Sequence, residues 1–509
     1  MSLVEGRRLS LARLGLLFLV LAAVVFASLQ GWRWFQDARS AVSQSAYFAP
    51  YVDVTATPTV EFEKGPDGAG PNVVLAFVVA DPADGCRPTW GAAYSLDEAE
   101  EQLDLDRRVA RVRQLGGTPI VSFGGQANDE LAVACTDGDD LYEAYRSVVD
   151  RYDTRVIDLD IEGEALTDAA ANDRRAQAVA RLQQDEELEV WVTLPVSPDG
   201  LTADGELLVA SMLRGGVDLT GVNAMTMNYG ESRSSGSSMA EASIDALEST
   251  HDQVTALYAD AGQRLTPTQA WQRIGATPMI GQNDLAGEVF GLGDAEELHA
   301  FASDRRLGRV SLWSMNRDRA CSSNYPDVTI VSDSCSGVTQ EAGSFSAVLG
   351  ATFDGVPEDV STSAAPDPTE TPSDDPATSP YPIWTEDGVY VAGERVVWRQ
   401  NVYAAKWWTS GELPDDPTIA ESASAWQLIG PVLPGETPAP SPTIPAGTYP
   451  EWDPDQVYEK GDRVRFGELG YVAQWWTQGE PPDARSTADA PSPWRMLTLA
   501  EVESPTPEG

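Results

Sequence analysis

The sequence predicts an α/β chain in which a (β/α)8 TIM barrel is followed by two small all-β modules. Three observations indicate this fold class. β-like runs alternate with amphipathic stretches over residues 47–350, stretches rich in Pro, Ser and Thr divide the rest, and a tryptophan-rich segment near the C-terminus is repeated. The chain has 509 residues, which is too long for one ordinary core, so several domains are expected.

The predicted barrel depends on eight β-like runs. They lie at 48–54, 73–80, 119–125, 156–162, 189–196, 222–230, 277–284 and 309–316. Amphipathic stretches such as "LYEAYRSVVDRY" separate them. This alternation is typical of parallel strands joined by helices, and eight units indicate a closed barrel with functional groups at the C-terminal strand ends. A doubly wound open sheet is the alternative, although no Gly-rich phosphate loop follows the first run.

Two stretches dominated by Pro, Ser, Thr and Asp, at 359–380 and 433–447, are predicted to be linkers because they cannot bury enough apolar surface to become ordered. The expected organisation is an export signal or membrane anchor (1–46), a barrel (47–350), a linker (351–380), a first module (381–430), a second linker (431–448), a second module (449–498) and a tail (499–509).

The N-terminal segment has the pattern of an export signal. Three arginines precede an uncharged run at 14–29, and Trp32 and Trp34 follow it. The run is long for a signal peptide and short for a membrane span, and no clean A-x-A cleavage site follows. We therefore expect an uncleaved anchor that contacts the membrane and leaves the rest of the chain outside the cell, secreted or tethered to the outer face.

Net charge and histidine content exclude some classes of partner and of catalytic site. The formal net charge of -45 repels phosphate backbones, so nucleic acid is not an expected partner. The only two histidines lie in polar, helix-like stretches, which disfavours His-based triads and His-ligated zinc.

All four cysteines follow the export segment, and among three connectivities we predict Cys86–Cys135 and Cys321–Cys335, since each pair would join neighbouring loops. Free buried thiols are the alternative.

The stretch "VIDLDIEGEA", residues 156–165, has an acid at every second position, namely Asp158, Asp160 and Glu162. In a strand these side chains share one face, so all three would point into the barrel. Buried carboxylates this close cannot all ionise cheaply, so a shared proton and at least one raised pKa are expected. A protonated carboxylic acid at a pocket rim is what a glycosidase uses to protonate a leaving oxygen.

Three other interpretations of this stretch are open. A calcium loop would begin D-x-D-x-D-G, which residues 158–163 match in part, but its twelfth position would be Ala169 where a Glu is needed. A magnesium site on a barrel strand is the second. The third is an acidic strand end that faces solvent, since acids are common throughout this chain.

The stretch "IDLDIEG" resembles the D-x-x-D-x-D-x-E signature of glycoside hydrolase family 18, the chitinases. "VSFGG" (121–125) is similar to that family's S-x-G-G strand, and "FAPYVDVT", "MTMNYG" and "SLWSMN" lie where its first, sixth and eighth strands are expected. The resemblance covers residues 47–340. It departs at Arg155, which stands at the first Asp of the signature.

The resemblance implies roles for the three acids and needs no cofactor or metal. Glu162 would protonate the glycosidic oxygen. Asp160 would hold the substrate's own N-acetyl group, whose carbonyl oxygen attacks the anomeric carbon, and Asp158 would share a proton with Asp160. Water activated by Glu162 would then open the oxazolinium ring with net retention.

The resemblance also implies a set of substrate-binding residues, with a departure on the sixth strand, where Met227 replaces a Tyr that contacts the acetamido group. Asn228 can still donate to a carbonyl, and either Tyr229 or Tyr51 would supply the hydroxyl. Trp313 would form an apolar floor under the sugar, unless it is a core residue. Gln282, in the seventh run, is a further candidate.

The C-terminal repeat aligns without a gap when Trp384 is matched with Trp452, 68 residues later. "AAKWWTSGE" and "VAQWWTQGE" resemble the A-K-W-W-T core of family 5/12 carbohydrate-binding modules, which bind chitin and cellulose. The resemblance implies sugar binding by matched aromatic residues, namely Trp407 and Trp475, Trp408 and Trp476, and Tyr390 and Tyr458. One member of each Trp pair could instead be structural.

Together these observations predict an exported, monomeric chitinase that acts on chitin and its N-acetylglucosamine oligosaccharides, with cellulose as a further ligand of the modules. Two alternatives are a non-hydrolytic chitin lectin and an endo-N-acetylglucosaminidase that acts on glycoproteins or peptidoglycan.

Overall fold

The computed structural model describes residues 46–65, 70–340, 343–357, 373–438, 443–484, 492–497 and 501–502. The expected export segment lies outside these residues, except for residue 46. Within the described part of the chain, no helix is long and apolar enough to cross a membrane. The chain divides into two compact units, Met1–Asp97 with Gly116–Val360, and Glu98–Leu115 with Ser361–Gly509.

The region before the modules contains fourteen described strands. They are β1 (Tyr47–Phe48), β2 (Tyr51–Asp53), β3 (Val73–Asp81), β4 (Asp84–Trp90), β5 (Tyr94–Ser95), β6 (Pro119–Gly124), β7 (Val156–Asp160), β8 (Glu189–Ser197), β9 (Gly200–Leu201), β10 (Leu219–Met225), β11 (Ile274–Thr277), β12 (Gly281–Gln282), β13 (Val289–Phe290) and β14 (Arg309–Val310).

Helices connect the parallel strands. They are α1 (Leu96–Leu103), α2 (Leu105–Gln114), α3 (Leu131–Ala134), α4 (Gly138–Tyr152), α5 (Gly163–Thr167), α6 (Ala169–Asp185), α7 (Ala203–Gly215), α8 (Met239–Asp260), α9 (Pro267–Gln272), α10 (Leu292–Arg305) and α11 (Phe345–Leu349). Short 3-10 turns lie at Phe62–Lys64, Gly230–Ser232 and Met315–Arg317.

The parallel strands close into a ring. Their order is β1, β14, β11, β10, β8, β7, β6 and β3, and β2 pairs with β3. Strands β1 and β2 form one barrel strand interrupted at Pro50, because Ala49 N still donates to Val310 O and Tyr51 N to Leu312 O. The expected (β/α)8 barrel is therefore present, with β7 buried along its whole length.

The seventh predicted strand was placed too late in the sequence. Strand β11 ends at Thr277, and the short β12 instead pairs in an antiparallel hairpin with β13. Gly281, the first residue of β12, has a φ of +71°. A Cβ at that position would lie 1.9 Å from Ser336 O, so only glycine fits this approach.

The two modules have the same strand arrangement. The strands are β15 (Val389–Tyr390), β16 (Arg395–Trp398), β17 (Asn401–Ala405), β18 (Thr409–Ser410), β19 (Trp426–Pro431), β20 (Val457–Tyr458), β21 (Arg463–Phe466), β22 (Leu469–Ala473), β23 (Thr477–Gln478) and β24 (Trp494–Met496). Each module has one two-stranded ribbon and one three-stranded antiparallel sheet, so the sequence repeat is also a structural repeat.

Both linkers are shorter than predicted, because residues near their predicted ends are packed into the neighbouring domains. Phe353 is buried and its carbonyl accepts from Phe48 N, so the barrel unit continues past residue 350. Asp374 accepts from Arg399 N and Gln400 N, which places it in the first module. Ile444 is likewise buried in the second module. Single apolar or capping residues inside Pro-rich stretches give too weak a signal to set these boundaries.

All four cysteines are joined in the two pairs expected from the sequence, Cys86 with Cys135 and Cys321 with Cys335. The first pair joins strand β4 to the end of α3. The second closes a loop that follows β14. Both therefore join segments outside the ring of parallel strands.

Candidate active site

The three acids of the β7 region lie in the middle of one barrel strand, at its end and just beyond its end. Asp158 pairs in register with Ser122 of β6, and Asp160 with Thr193 of β8. Both acids are buried, whereas Glu162 follows the end of the strand and is only partly buried. The stretch thus places two carboxylates inside the barrel and the third at its C-terminal mouth, where barrel enzymes carry their catalytic groups.

The metal-binding interpretations find no support in this geometry. Helix α5 begins at Gly163, so residues 158–169 do not form a calcium loop. Among the residues that the structure describes, no group of three His, Cys, Asp or Glu side chains could hold a metal ion.

The Asp158 carboxylate accepts four side-chain hydrogen bonds. Tyr51 Oη and Ser122 Oγ donate to Oδ2 at 2.8 and 2.7 Å. Thr193 Oγ1 and Arg309 Nη1 each donate to Oδ1 at 2.7 Å. These four donors fix the Asp158 carboxylate inside the barrel. That Asp158 shares a proton with Asp160 stays a prediction.

Asp160 differs from Asp158 in having an open acceptor. Its Oδ1 is buried and receives no hydrogen bond from any described residue. Burial raises the pKa of Asp160 well above its usual range, and the charges of Glu162 and Asp158 raise it further, while Arg309 opposes the rise. A buried oxygen that lacks a partner inside a cleft is available to a ligand.

Glu162 has the properties of a general acid at neutral pH. Burial, followed by the charge of Asp284, raises the pKa of Glu162 to about 7. Near neutral pH a substantial fraction of this carboxyl is therefore protonated, which is the tuning that acid catalysis requires. Asp284 was not identified from the sequence because residues 277–284 were interpreted as one strand.

The acids open into a cleft of about 170 Å³. Its lining combines carboxylates with aromatic and thioether side chains, namely Tyr51, Phe77, Gln126, Asp160, Glu162, Thr193, Met225, Met227, Asn228, Thr277, Met279, Asp284, Trp313 and Asp333.

Trp313 forms part of an aromatic wall in this cleft. Phe77 is stacked on it, with ring centroids 5.4 Å apart and planes 16° from parallel, and Tyr51 lies 6.1 Å away. Phe77 covers one indole face, so the other face is the one available to a sugar ring. The role predicted for Trp313 as an apolar floor is compatible with this position.

Two glycines allow the backbone to pass close to the acids. A Cβ on Gly124 would lie 2.1 Å from Asp160 O, and one on Gly125 would lie 2.7 Å from the Phe77 ring. Gly125 N also donates to Asp160 O at 2.9 Å. The Gly pair of "VSFGG" therefore holds β6 against the end of β7, which is a packing role with a direct effect on the site.

Comparisons with known proteins agree with this geometry. The chain is 34% identical over 306 residues to the probable bifunctional chitinase/lysozyme of Escherichia coli (strain K12), covering 58% of this chain and 33% of that protein. It is 33% identical over 283 residues to endochitinase 11 of Metarhizium anisopliae, covering 53% and 52%. The chain thus spans between a third and about half of the length of these curated relatives.

The barrel also matches a solved catalytic domain. The crystal structure of the catalytic domain of a hyperthermophilic chitinase from Pyrococcus furiosus superposes with a TM-score of 0.52 at 27% identity. The match covers 61% of this chain and 95% of that one. The likeness therefore spans a whole catalytic domain. The barrel is similar to a chitinase catalytic domain.

The family model for carbohydrate-binding module family 5/12 matches residues 451–495. This is the second of the two modules. A barrel similar to a chitinase catalytic domain and a module that matches the family 5/12 model therefore lie in one chain. The first module has the same strand arrangement, but the match does not include it.

Within the barrel, the predicted binding residues fall into two groups. Tyr51, Met227, Asn228 and Trp313 line the cleft. Tyr229 and Gln282 do not. The Tyr229 hydroxyl bonds instead to Ser243 Oγ at 3.3 Å, in a contact between the loop after β10 and helix α8. Gln282 lies in the β12 hairpin because the seventh strand ends earlier than predicted.

Asn228 is held in the cleft by Asp284. Its Nδ2 donates to Asp284 Oδ2 at 2.7 Å, and Asp284 N donates back to Asn228 Oδ1 at 3.0 Å. These two bonds support a φ of +55° at Asn228, which asparagine tolerates better than most residues. Asp284 thus both orders the cleft wall and acts on the pKa of Glu162.

The two modules expose both members of each Trp pair. Trp408 and Trp476 are each 61% exposed, and Trp407 and Trp475 are 44% and 43% exposed. Tyr458 is buried and Tyr390 is partly buried, so neither ring is presented to a sugar as the Trp pairs are. Their rings pack edge-on against Trp426 and Trp494 in the module cores, and each hydroxyl bonds to the backbone five residues earlier.

Proposed function

We propose that this protein hydrolyses the β-1,4 links between N-acetylglucosamine residues in chitin. The observation that carries the proposal is the pair of acids at the cleft. Glu162 has a pKa of about 7 at the mouth, and below it Asp160 has a buried Oδ1 that accepts no hydrogen bond from the part of the chain that the structure describes. The first can supply a proton to a leaving oxygen, and the second can accept a hydrogen bond from a substrate N–H.

The chemistry follows from the positions of these two groups. Glu162 protonates the glycosidic oxygen as its bond to the anomeric carbon breaks. Asp160 accepts from the acetamido N–H, and the acetamido carbonyl oxygen attacks the same carbon to form an oxazolinium ion. Water gives its proton to Glu162 and opens this ring, which restores the acid. Two displacements at one carbon give net retention.

The direct test follows product stereochemistry. Purified protein is incubated with a soluble N-acetylglucosamine oligosaccharide, and the first reducing ends are recorded by proton NMR. We expect the β-anomer to form first and the α-anomer to appear only by mutarotation. A fully deacetylated glucosamine oligosaccharide should not be cleaved. Initial release of the α-anomer, or equal cleavage of both substrates, would exclude the substrate-assisted route.

We further propose that the two modules hold the barrel on insoluble chitin, with cellulose as a weaker ligand. Indole faces stack on pyranose rings, and burial of roughly 100 Å² on each contributes about 2 to 3 kcal/mol. Two modules on one chain gain avidity on a polymer that repeats its sites. The exposed Trp pairs in both modules support this division of roles.

Replacement of Trp408 and Trp476 by Ala should weaken the binding of the whole protein to chitin particles by about tenfold or more, because each loses a stacking contact. Leu207 on helix α7 is a matched control, since it is also 61% exposed and apolar. Depletion of protein from solution by increasing amounts of chitin measures the effect. Unchanged depletion by the double variant, or equal loss in Leu207→Ala, would contradict the assignment.

We also propose that the chain is exported. Two observations support this: three arginines precede the apolar run at 14–29, and all four cysteines form disulfides. In intact cells, the chitin-hydrolysing activity should be found in the medium or be destroyed by added protease. Activity that stays with the cells and survives protease would exclude export.

A further inference from the structure

Gln126 lines the cleft directly after Gly124 and Gly125, at the end of β6. Its side chain is exposed, and its amide makes no hydrogen bond to any residue that the structure describes. A carboxamide carries two N–H donors and one carbonyl acceptor. Gln126 therefore offers both kinds of group to a molecule that enters the cleft.

The other neutral polar side chains of the lining already have partners inside the protein. They are Tyr51, Thr193, Thr277 and Asn228. The Tyr51 and Thr193 hydroxyls, for example, both donate to the buried Asp158 carboxylate, at 2.8 and 2.7 Å. Among the residues that the structure describes, Gln126 is thus the neutral polar side chain of the lining that is left for a ligand.

The backbone around Gln126 is anchored on both sides. Gly125 N donates to Asp160 O at 2.9 Å, so Gln126 lies one residue beyond a bond to the strand that carries the acids. On the other side, Ala80 N of β3 donates to Asp129 O, also at 2.9 Å. A side chain on backbone that is held in this way is preorganised, so less conformational entropy is lost when it binds a ligand.

The depth of the two acids indicates which sugar Gln126 can reach. Asp160 is buried on β7, whereas Glu162 follows the end of that strand at the mouth of the cleft. In the proposed reaction, the sugar with the attacking acetamido group lies against Asp160, and Glu162 protonates the oxygen that leaves. The leaving sugar therefore lies outward of Glu162, at the level of the exposed Gln126.

We propose that Gln126 binds the leaving sugar through hydrogen bonds between its carboxamide and the hydroxyl or acetamido groups of that sugar. This inference rests on the proposed function. An N-acetylglucosamine unit presents such groups to the carboxamide, whereas an aromatic leaving group has neither hydroxyl nor acetamido groups. Gln126 thus discriminates between substrates by the group that departs.

The test compares two substrates that differ in the leaving group, the N-acetylglucosamine trisaccharide and the nitrophenyl glycoside of the N-acetylglucosamine disaccharide. Gln126→Met keeps the length of the side chain but removes its donors and its acceptor. We expect kcat/KM to fall about tenfold on the trisaccharide, because two neutral hydrogen bonds are lost, and to stay within about twofold of the wild type on the nitrophenyl glycoside. The loss should appear mainly in KM, since a contact that is equally strong before and during reaction affects binding alone.

Gln263→Met is the matched control for this variant. Gln263 is also exposed, but it is not among the residues that line the cleft. The same substitution there should leave kcat/KM unchanged on both substrates.

The outcomes separate the two proposals. If the wild type cleaves neither substrate, the proposed function fails, and the role of Gln126 fails with it. If the wild type cleaves both, but Gln126→Met loses as much on the nitrophenyl glycoside as on the trisaccharide or loses nothing on either, the contact between Gln126 and the leaving sugar is overturned and the proposed function stands.

Discussion

Replacement of Glu162 by Gln is expected to lower kcat/KM on soluble N-acetylglucosamine oligosaccharides by about 10³-fold or more, since general acid–base catalysis contributes up to about 10⁴ and the residue acts in both steps. The amide keeps the size of the side chain and its place in the cleft, but it has no proton to give to the leaving oxygen. Substrate binding should therefore survive, and titration of the variant with the oligosaccharide should still show saturable binding.

Glu164→Gln is the matched control. It is the same substitution two residues later, at an exposed position of α5. It should keep the wild-type rate. Equal rates for Glu162→Gln and the wild type would remove Glu162 as the acid, and a binding protein would then be the better description. Loss of activity in both variants would indicate damage to α5 and not to catalysis.

The wild-type rate should also depend on pH in a direction set by Glu162. Its pKa is raised by burial and Asp284 to about 7, so the acid form is lost as pH rises above that value. We expect kcat to fall on the alkaline side. Asp284→Asn removes the charge that adds to this rise, and should bring the fall to lower pH.

Much of the barrel and the central acids could be predicted because their signals are local. Two-residue periodicity at Asp158, Asp160 and Glu162 is visible in a single strand, and it implies one shared face. The Trp pairs are likewise visible, since modules this small have too little core to bury them all. In both cases the motif lies where it was predicted, and the structure differs only in the contacts made by residues near it.

The parts that could not be predicted depend on contacts between distant segments. Arg309 lies 151 residues from Asp158 in the sequence, and nothing near either residue indicates the pair. Asp284 lines the cleft although it lies beyond the end of β11, just after β12. Tyr458 has the composition of a binding residue, but its burial against Trp494 follows from the module core. Such placements come from the closed ring and not from local pattern.

Replacement of Asp160 by Asn should lower kcat on the same oligosaccharides by about 10² to 10³-fold, the usual loss when one preorganised charge at a reacting group is removed. The amide oxygen of Asn can still accept from an acetamido N–H, so substrate should bind. It carries no negative charge, however, and cannot stabilise the cation that forms as the acetamido oxygen attacks. The loss should therefore fall on kcat more than on KM.

A double variant distinguishes this role from general damage to the strand. If Asp160 and Glu162 act on the same bond-breaking step, Asp160→Asn/Glu162→Gln should be little slower than Glu162→Gln alone, because residues that act as a unit are not additive. Full multiplication of the two losses would mean independent roles. An Asp160→Asn rate within about tenfold of the wild type would show that the open Oδ1 is not used in catalysis, and with it the substrate-assisted route would lose its main support.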